Sequence, residues 1–161
     1  MSIKPQETHT HELQLALQLA DKEVQHLRYS RDSIKRLKPD LAWVCDLENR
    51  PELAEKVEAF VSRFARLQDH LGDKLLPRFA ALVGNPTRTL IDTLALAERA
   101  EVVPDAQAFM AARRLRNALV HEYMQDPQLF LDSLNEALDG CTLLFETVDR
   151  VRAETRRLSG R

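Results

Sequence analysis

Glycine, cysteine and aromatic residues are scarce in this sequence, and the shortage narrows its structural class. There are four glycines and two cysteines in 161 residues, and aromatic side chains make up 6%. Because Leu, Ala, Glu, Arg and Asp dominate while Val, Ile and Thr are comparatively few, the composition favours helices over strands. The chain is long enough to bury a core without metal or disulfide staples. We therefore expect a single all-α domain spanning residues 1–161.

Long apolar runs are absent as well, which argues against a membrane-spanning segment. No stretch approaches about 18 consecutive apolar residues, and the N-terminus lacks the apolar core of a signal peptide. Cys45 and Cys141 could form one disulfide, but two scattered thiols fit a reducing cytosol better. The sequence therefore predicts a cytoplasmic protein with no membrane partner.

A strong charge of either sign is also missing, since 23 basic residues stand against 25 acidic ones. Any nucleic-acid site must then be a local basic patch, because the overall field of the protein does not attract RNA. The sequence has no Gly-rich phosphate loop, Cys-x-x-Cys pair, His-Glu-x-x-His or Gly-x-Ser-x-Gly motif. His9 and His11 alone make a poor metal site. We expect neither a metal ion nor a cofactor.

Apolar periodicity predicts five main helices, separated by proline, glycine and aspartate signals. Asn49 is expected to cap the second helix, with Pro51 in its first turn. Pro77 is expected to kink or break that helix near residues 71–76. Short loops between the helices imply an antiparallel up-and-down bundle. The predicted spans are 7–37, 51–71 with a short extension to 83, 86–100, 105–123 and 128–158, with 150–161 expected to fray.

The first and last predicted helices each carry a long apolar stripe. Along the last one the spacing alternates between three and four, which is typical of heptads. We interpret both stripes as intramolecular core, and a dimer seam is the alternative. Gly140 should weaken the last helix locally. Its stripe consists of Leu134, Ala137, Cys141, Leu144, Val148 and Val151.

The fourth predicted helix holds the residues best suited to chemistry. Between residues 106 and 121 it has three arginines and no acidic residue. A solvated basic face is the simpler interpretation on composition alone, because cations are favoured near a helix C-terminus. Arg116 and His121 diverge by about 140° on an ideal helix, so one straight helix does not aim both at one point. Either the helix ends near His121 or a second copy supplies the missing group. The arginines are Arg113, Arg114 and Arg116, and a polar cluster of Asn117, His121 and Tyr123 follows them.

Two stretches of the chain resemble a known family. The run Arg116-Asn117-Ala118-Leu119-Val120-His121-Glu122-Tyr123 resembles the Arg-x4-His-x-Tyr signature of HepT-like proteins in the HEPN superfamily. Its position at the end of a helix, just before the C-terminal helix, is similar too. Residues 63–77, RFARLQDHLGDKLLP, look like a second stretch found in a subgroup of these proteins. The resemblance covers the whole chain in length and helix order, but only these two stretches are specific.

The resemblance implies a homodimeric HEPN bundle that cleaves RNA as the toxin of a toxin–antitoxin pair. Family members use the ribose 2′-OH as nucleophile without a metal ion, leaving a 2′,3′-cyclic phosphate and a 5′-OH end. Carried over, His121 would be the general base or acid, and Arg116 would hold the scissile phosphate. Asn117 would position the phosphate or hold the helix end. Tyr123 would accept AMP from a minimal nucleotidyltransferase antitoxin, and the added charge would block RNA.

The sequence leaves open the roles of the supporting residues and two competing functions. Arg113 and Arg114 are expected to bind RNA. Arg63 or Asp69 either approaches the motif or belongs to a plain helix surface, where Arg66 and Asp69 could pair. A non-catalytic partner of the nucleotidyltransferase and a purely structural helical dimer are the competing interpretations, since a fold and motif can persist without activity.

Overall fold

The chain folds into α-helices, as its composition predicts. The computed structural model describes the backbone of residues 5–122 and 125–160 and the side chains of residues 6–120 and 125–160. Within those ranges there is no β-strand, and no helix combines the length and apolarity needed to cross a bilayer. The helices are α1 (Pro5–Leu37), α2 (Leu41–Cys45), α3 (Pro51–His70), α4 (Leu76–Leu82), α5 (Leu90–Arg99), α6 (Ala106–Glu122) and α7 (Pro127–Ser159).

The long helix α1 lies at the centre of the packing. It contacts α3, α4 and α7, while α6 packs against both α7 and α3. Side-chain bonds join late residues of α1 to early residues of α3, and early residues of α1 to α4, so α3 and α4 run opposite to α1. Helix α6 packs against α3, the helix that carries most of the second stretch of the resemblance. The bonds are Lys56 with Ser33, Arg63 with Ser30, His70 with Ala16 and Arg78 with Glu12.

The apolar stripe of α7 lies inside the chain. All six of its residues, from Leu134 to Val151, are buried against the rest of the fold. The intramolecular interpretation is confirmed, and a dimer seam along these residues is wrong because their apolar surface has already been removed from water. The helix also stays regular to Ser159, with Thr155 buried. The fraying expected for residues 150–161 is therefore not found as far as residue 160.

The connector between α1 and α3 is more regular than expected. Asp40 caps α2, since its carboxylate accepts a bond from a backbone N–H three residues on, at 2.8 Å. Asn49 lies in a 3-10 turn, where its amide donates to Asp46 at 3.2 Å. The predicted capping role of Asn49 is therefore wrong. Arg50 occupies the cap position without a side-chain bond, and Pro51 opens α3 as predicted.

Helix α5 begins later than the proline at residue 86 suggests. Thr89 has an extended backbone, and its hydroxyl accepts a bond from the N–H of Asp92 at 3.1 Å. Threonine is a good N-cap because its oxygen satisfies one of the free N–H groups of the first turn. The hydroxyls of Thr87 and Thr93 also bond to each other at 2.6 Å. These bonds hold residues 86–89 outside the helix.

The kink expected near Pro77 takes the form of a π-helical turn at Leu71–Leu75. The N–H of residue 76 donates to the carbonyl five residues earlier, and the helix continues through the proline. Proline lacks an N–H, and its ring clashes with the carbonyl four residues before it in a regular helix, so a wider turn accommodates it. Gly72 lies inside this turn, where a Cβ would come within 3.2 Å of Leu90 Cδ1. The absence of a side chain at Gly72 therefore lets Leu90 of α5 approach closely.

The two cysteines are free and differ in exposure. Cys45 is exposed, whereas Cys141 is buried and its Sγ donates to the carbonyl of Ala137 at 3.2 Å. Burial raises the pKa of the Cys141 thiol to about 12. The disulfide left open by the sequence does not form, and Cys141 is a protonated core residue.

Replacing Gly140 by alanine should stabilise the protein by about 0.5–1 kcal/mol. Gly140 lies within α7, and a Cβ added there meets nothing within 4 Å, so alanine reduces the freedom of the unfolded chain without a clash. Urea unfolding should show a higher midpoint with an unchanged slope. Gly84→Ala is the matched control and should destabilise the protein, because Gly84 has a φ of 83°. A loss of stability in Gly140→Ala would mean that this surface is not open.

Candidate active site

The two stretches that resemble the HepT-like family meet through one ion pair. Nη1 of Arg116 on α6 donates to a carboxylate oxygen of Asp69 on α3 at 2.7 Å. These residues are 47 positions apart in sequence, so the contact depends on the packing of α3 against α6. The fold therefore brings the arginine of one stretch to an acidic residue of the other.

Both partners of this ion pair remain open to water. The Arg116 side chain keeps 32% of its surface exposed and Asp69 keeps 37%. A guanidinium has five N–H donors in a planar fork, and the bond to Asp69 uses one of them. The pair can therefore fix the orientation of the guanidinium, whose other donors have no side-chain partner within the described residues. Since both side chains are about a third exposed, its direct contribution to folding is small, on the order of 0–1 kcal/mol.

The remaining polar residues of α6 form a surface beside Arg116. Arg114 and Asn117 are exposed, and Arg113 is half-buried. Arg114 also lines a groove of about 490 Å³ between α5 and α6, together with Ile91 and Met110. That groove does not include Arg116. Asn117 has no side-chain bond within the described residues that would hold the helix end.

The histidine and tyrosine of the signature lie at the limit of what the structure describes. Helix α6 continues through residue 121 and ends at Glu122, so the backbone of His121 is helical. Its side chain and the whole of Tyr123 lie outside the described residues. Because the helix includes residue 121, the angle of about 140° between Arg116 and His121 still applies. The helix does not end early enough to remove it.

Arg63 turns away from the motif. Its Nη1 donates to the hydroxyl of Ser30 at 2.7 Å and to the carbonyl of His26 at 3.2 Å, and both acceptors are on α1. In the structure Arg63 therefore bonds to α1, and its proposed supporting role in the motif stays a prediction. Asp69 is the residue of that stretch that reaches Arg116. Arg66 bonds to Ser62 instead of pairing with Asp69.

One polar residue next to Asp69 was missed by the sequence reasoning. Gln68 is 2% exposed, and its Nε2 donates to the backbone carbonyl of Phe109 on α6 at 3.3 Å. Its Oε1 is buried and has no partner in the described part of the chain. Its spacing could have indicated burial, because Gln68 falls on the same helix face as Phe60 and Phe64.

His70 is a structural residue. It is buried, and its ring Nε2 donates to the carbonyl of Ala16 on α1 at 2.8 Å. Burial lowers the pKa of His70 from its ordinary value, which favours the neutral ring. Phe64, on the same helix, is fully buried. Among the residues described here, no group of three or more His, Cys, Asp or Glu side chains could hold a metal ion.

Comparison with known proteins identifies no relative. No family model matches the chain, and neither any curated protein nor any solved structure matches it. Support for a function therefore comes from the geometry of α3 and α6 and from the two stretches of the resemblance.

Proposed function

We propose that this protein is the toxin of a HEPN and minimal nucleotidyltransferase module and acts as a metal-independent endoribonuclease. The Arg116–Asp69 ion pair is the observation that carries the proposal. It connects the two stretches that resemble the family, although they are far apart in sequence. The pair supports the proposal because it joins the residues on which the resemblance rests.

The chemistry follows from the residue types in the signature. His121, acting as general base, takes the proton of a ribose 2′-OH, and the 2′-oxygen attacks the adjacent phosphorus. The bond from phosphorus to the 5′-oxygen breaks, that oxygen takes a proton from water, and the imidazolium releases the 2′-OH proton to solvent. The products are a 2′,3′-cyclic phosphate and a 5′-OH end. Arg116 binds the phosphate oxygens and stabilises their growing charge through the donors that Asp69 leaves free.

The direct test is cleavage of RNA in the presence of EDTA, followed by typing of the product ends. Cleavage that persists in EDTA and leaves cyclic phosphate and 5′-OH ends supports the proposal. Activity that requires a divalent metal, or products with 5′-phosphates, contradicts it.

Arg113 and Arg114 are proposed to bind RNA, so Arg114→Ala should weaken RNA binding and reduce its dependence on salt more than it slows the cleavage step.

The fold proposed for this function is an up-and-down HEPN bundle that forms a symmetric homodimer, with the two α6 helices near the two-fold axis. The divergence of about 140° between Arg116 and His121 supports a second copy of the helix in the site. Light scattering at micromolar concentration should give about twice the chain mass of 18.5 kDa. A clean monomer under those conditions would contradict a site composed from two chains.

Tyr123 is proposed as the modification site for a nucleotidyltransferase antitoxin. It lies seven residues from Arg116, and added phosphodiester charge beside that arginine would repel an RNA phosphate. Incubation with the partner enzyme and ATP should add AMP to the peptide that contains Tyr123, as measured by mass spectrometry. The matched control is Tyr29→Phe, which changes an exposed tyrosine on α1. Modification that survives Tyr123→Phe would show that another residue is the acceptor.

A non-catalytic binding partner of the nucleotidyltransferase is the second candidate function. It is favoured by the same signature, because the tyrosine could be modified in a protein that cleaves nothing. Growth after induction in the cytoplasm separates the two. The toxin should arrest growth unless the nucleotidyltransferase is expressed with it, whereas a binding partner should have no such effect.

A further inference from the structure

Gln68 is a polar side chain in an apolar part of the core. It lies on α3 among Phe64, Leu67 and Leu71, all of which are fully buried. Burying an amide costs stability unless both its donor and its acceptor are bonded. An apolar side chain of similar volume, such as methionine, avoids that cost. Packing alone therefore gives no reason for glutamine at this position.

The amide of Gln68 is only half satisfied, and the bond it makes is between helices. Its Nε2 donates to the main-chain carbonyl of Phe109 on α6, while its Oε1 has no partner within the described residues. A half-satisfied buried amide is a poor device for stability, but a bond to a main-chain atom fixes the position of one helix relative to another. Gln68 thus ties α3 to one point on α6.

The position of α6 relative to α3 sets the distance between Arg116 and Asp69 at the candidate site. Asp69 follows Gln68 on α3, and Arg116 follows Phe109 by two turns of α6. Arginine side chains in helices lean toward the helix N-terminus, so Arg116 extends back toward the level of Phe109. Its Nη1 meets Asp69 at 2.7 Å. A small slide or rotation of α6 against α3 would lengthen this bond or break it.

We propose that Gln68 is a positioning residue for RNA cleavage. Its buried amide holds α6 against α3, so that Asp69 keeps the Arg116 guanidinium in one orientation. Gln68 touches no substrate and acts only through these two residues. The inference rests on the proposed ribonuclease function, but the arrangement of Arg116 and Asp69 can be measured without it.

The test is Gln68→Met, compared with Thr147→Val as a matched control. Thr147 is also a buried polar residue, but its hydroxyl bonds within α7 to the carbonyl of Leu143 at 2.9 Å. Gln68→Met should stay folded and dimeric, with a urea midpoint equal to or above that of the unaltered protein. Its kcat for RNA should fall by about 10- to 100-fold while KM changes by less than about twofold, because misplacing a catalytic group affects the reaction step. Thr147→Val should keep its full kcat.

A spectroscopic signal separates positioning from general damage. The NMR resonance of the Arg116 guanidinium N–H is assigned by its loss in Arg116→Lys. In Gln68→Met its chemical shift should move toward the value of exposed arginines. It should stay in place in Thr147→Val. An unmoved resonance together with unchanged kcat would overturn the role of Gln68. If the unaltered protein cleaves no RNA, the ribonuclease proposal fails, and the resonance still decides whether Gln68 positions Arg116.

Discussion

RNA cleavage should fall by about 100- to 10,000-fold when His121 is replaced by alanine. The proposed reaction needs a group that removes the 2′-OH proton, and an imidazole with an ordinary pKa near neutrality suits that step. His121 is the only histidine in the signature. Alanine leaves water as the base. Initial rates should be measured in EDTA at saturating RNA, so that the loss is assigned to the chemical step.

The matched control for this variant is His26→Ala. The His26 side chain is exposed on α1, remote from the signature in sequence, so its removal should leave the rate unchanged. Both variants must keep the mass of the unaltered assembly, since a composite site fails whenever the dimer does. If the folded His121→Ala protein cleaves at the full rate, the binding-partner function is the correct one.

Arg116→Ala should reduce kcat by about 100- to 1000-fold, because one fixed donor to a developing oxyanion is worth roughly that much. Stability should change by less than about 1 kcal/mol, since the bond to Asp69 lies at a partly exposed surface. Arg116→Lys should recover only part of the loss, because an ammonium cannot reproduce the two-pronged contact with phosphate. Single-turnover reactions that are quenched at set times measure the rate of the cleavage step directly.

Two further variants show whether the effect belongs to this arginine. Arg36→Ala removes an exposed charge on α1 and should change neither kcat nor stability. Asp69→Asn should lower kcat less than Arg116→Ala, because it removes the residue that orients the guanidinium but leaves the cation in place. A larger effect from Asp69→Asn would mean that the carboxylate itself takes part in the reaction.

Periodicity and proline placement allowed much of the fold to be predicted. The alternation of three and four along α7 was enough to identify a buried stripe, because a helix with one apolar face must cover it. Pro77 located the π-helical turn to within a few residues, since a missing N–H has the same effect in any helix. Caps were harder to predict. Asn49 and Arg50 are adjacent, and the choice between them depended on a local bond from Asn49 to Asp46.

The candidate site was predictable only in part, for a different physical reason. Periodicity gives the face on which a residue lies but not which helix packs against that face. Arg63 and Asp69 both belong to α3, yet one contacts α1 and the other contacts α6. Composition did not identify Gln68, because a single glutamine is normally expected at the protein surface. Its partner is a main-chain carbonyl 41 positions away, which no local pattern reports.

The contrast between the two thiols makes this chain easy to label at one chosen point. Maleimides react with exposed thiolates, so Cys45 should be modified while Cys141, with its buried thiol and a pKa of about 12, should not. A nitroxide attached to Cys45 would therefore sit at a single place on each copy without any engineering of the sequence. In a two-fold assembly the distance between the two nitroxides takes one value, and a paramagnetic measurement of that distance would report how the copies are arranged.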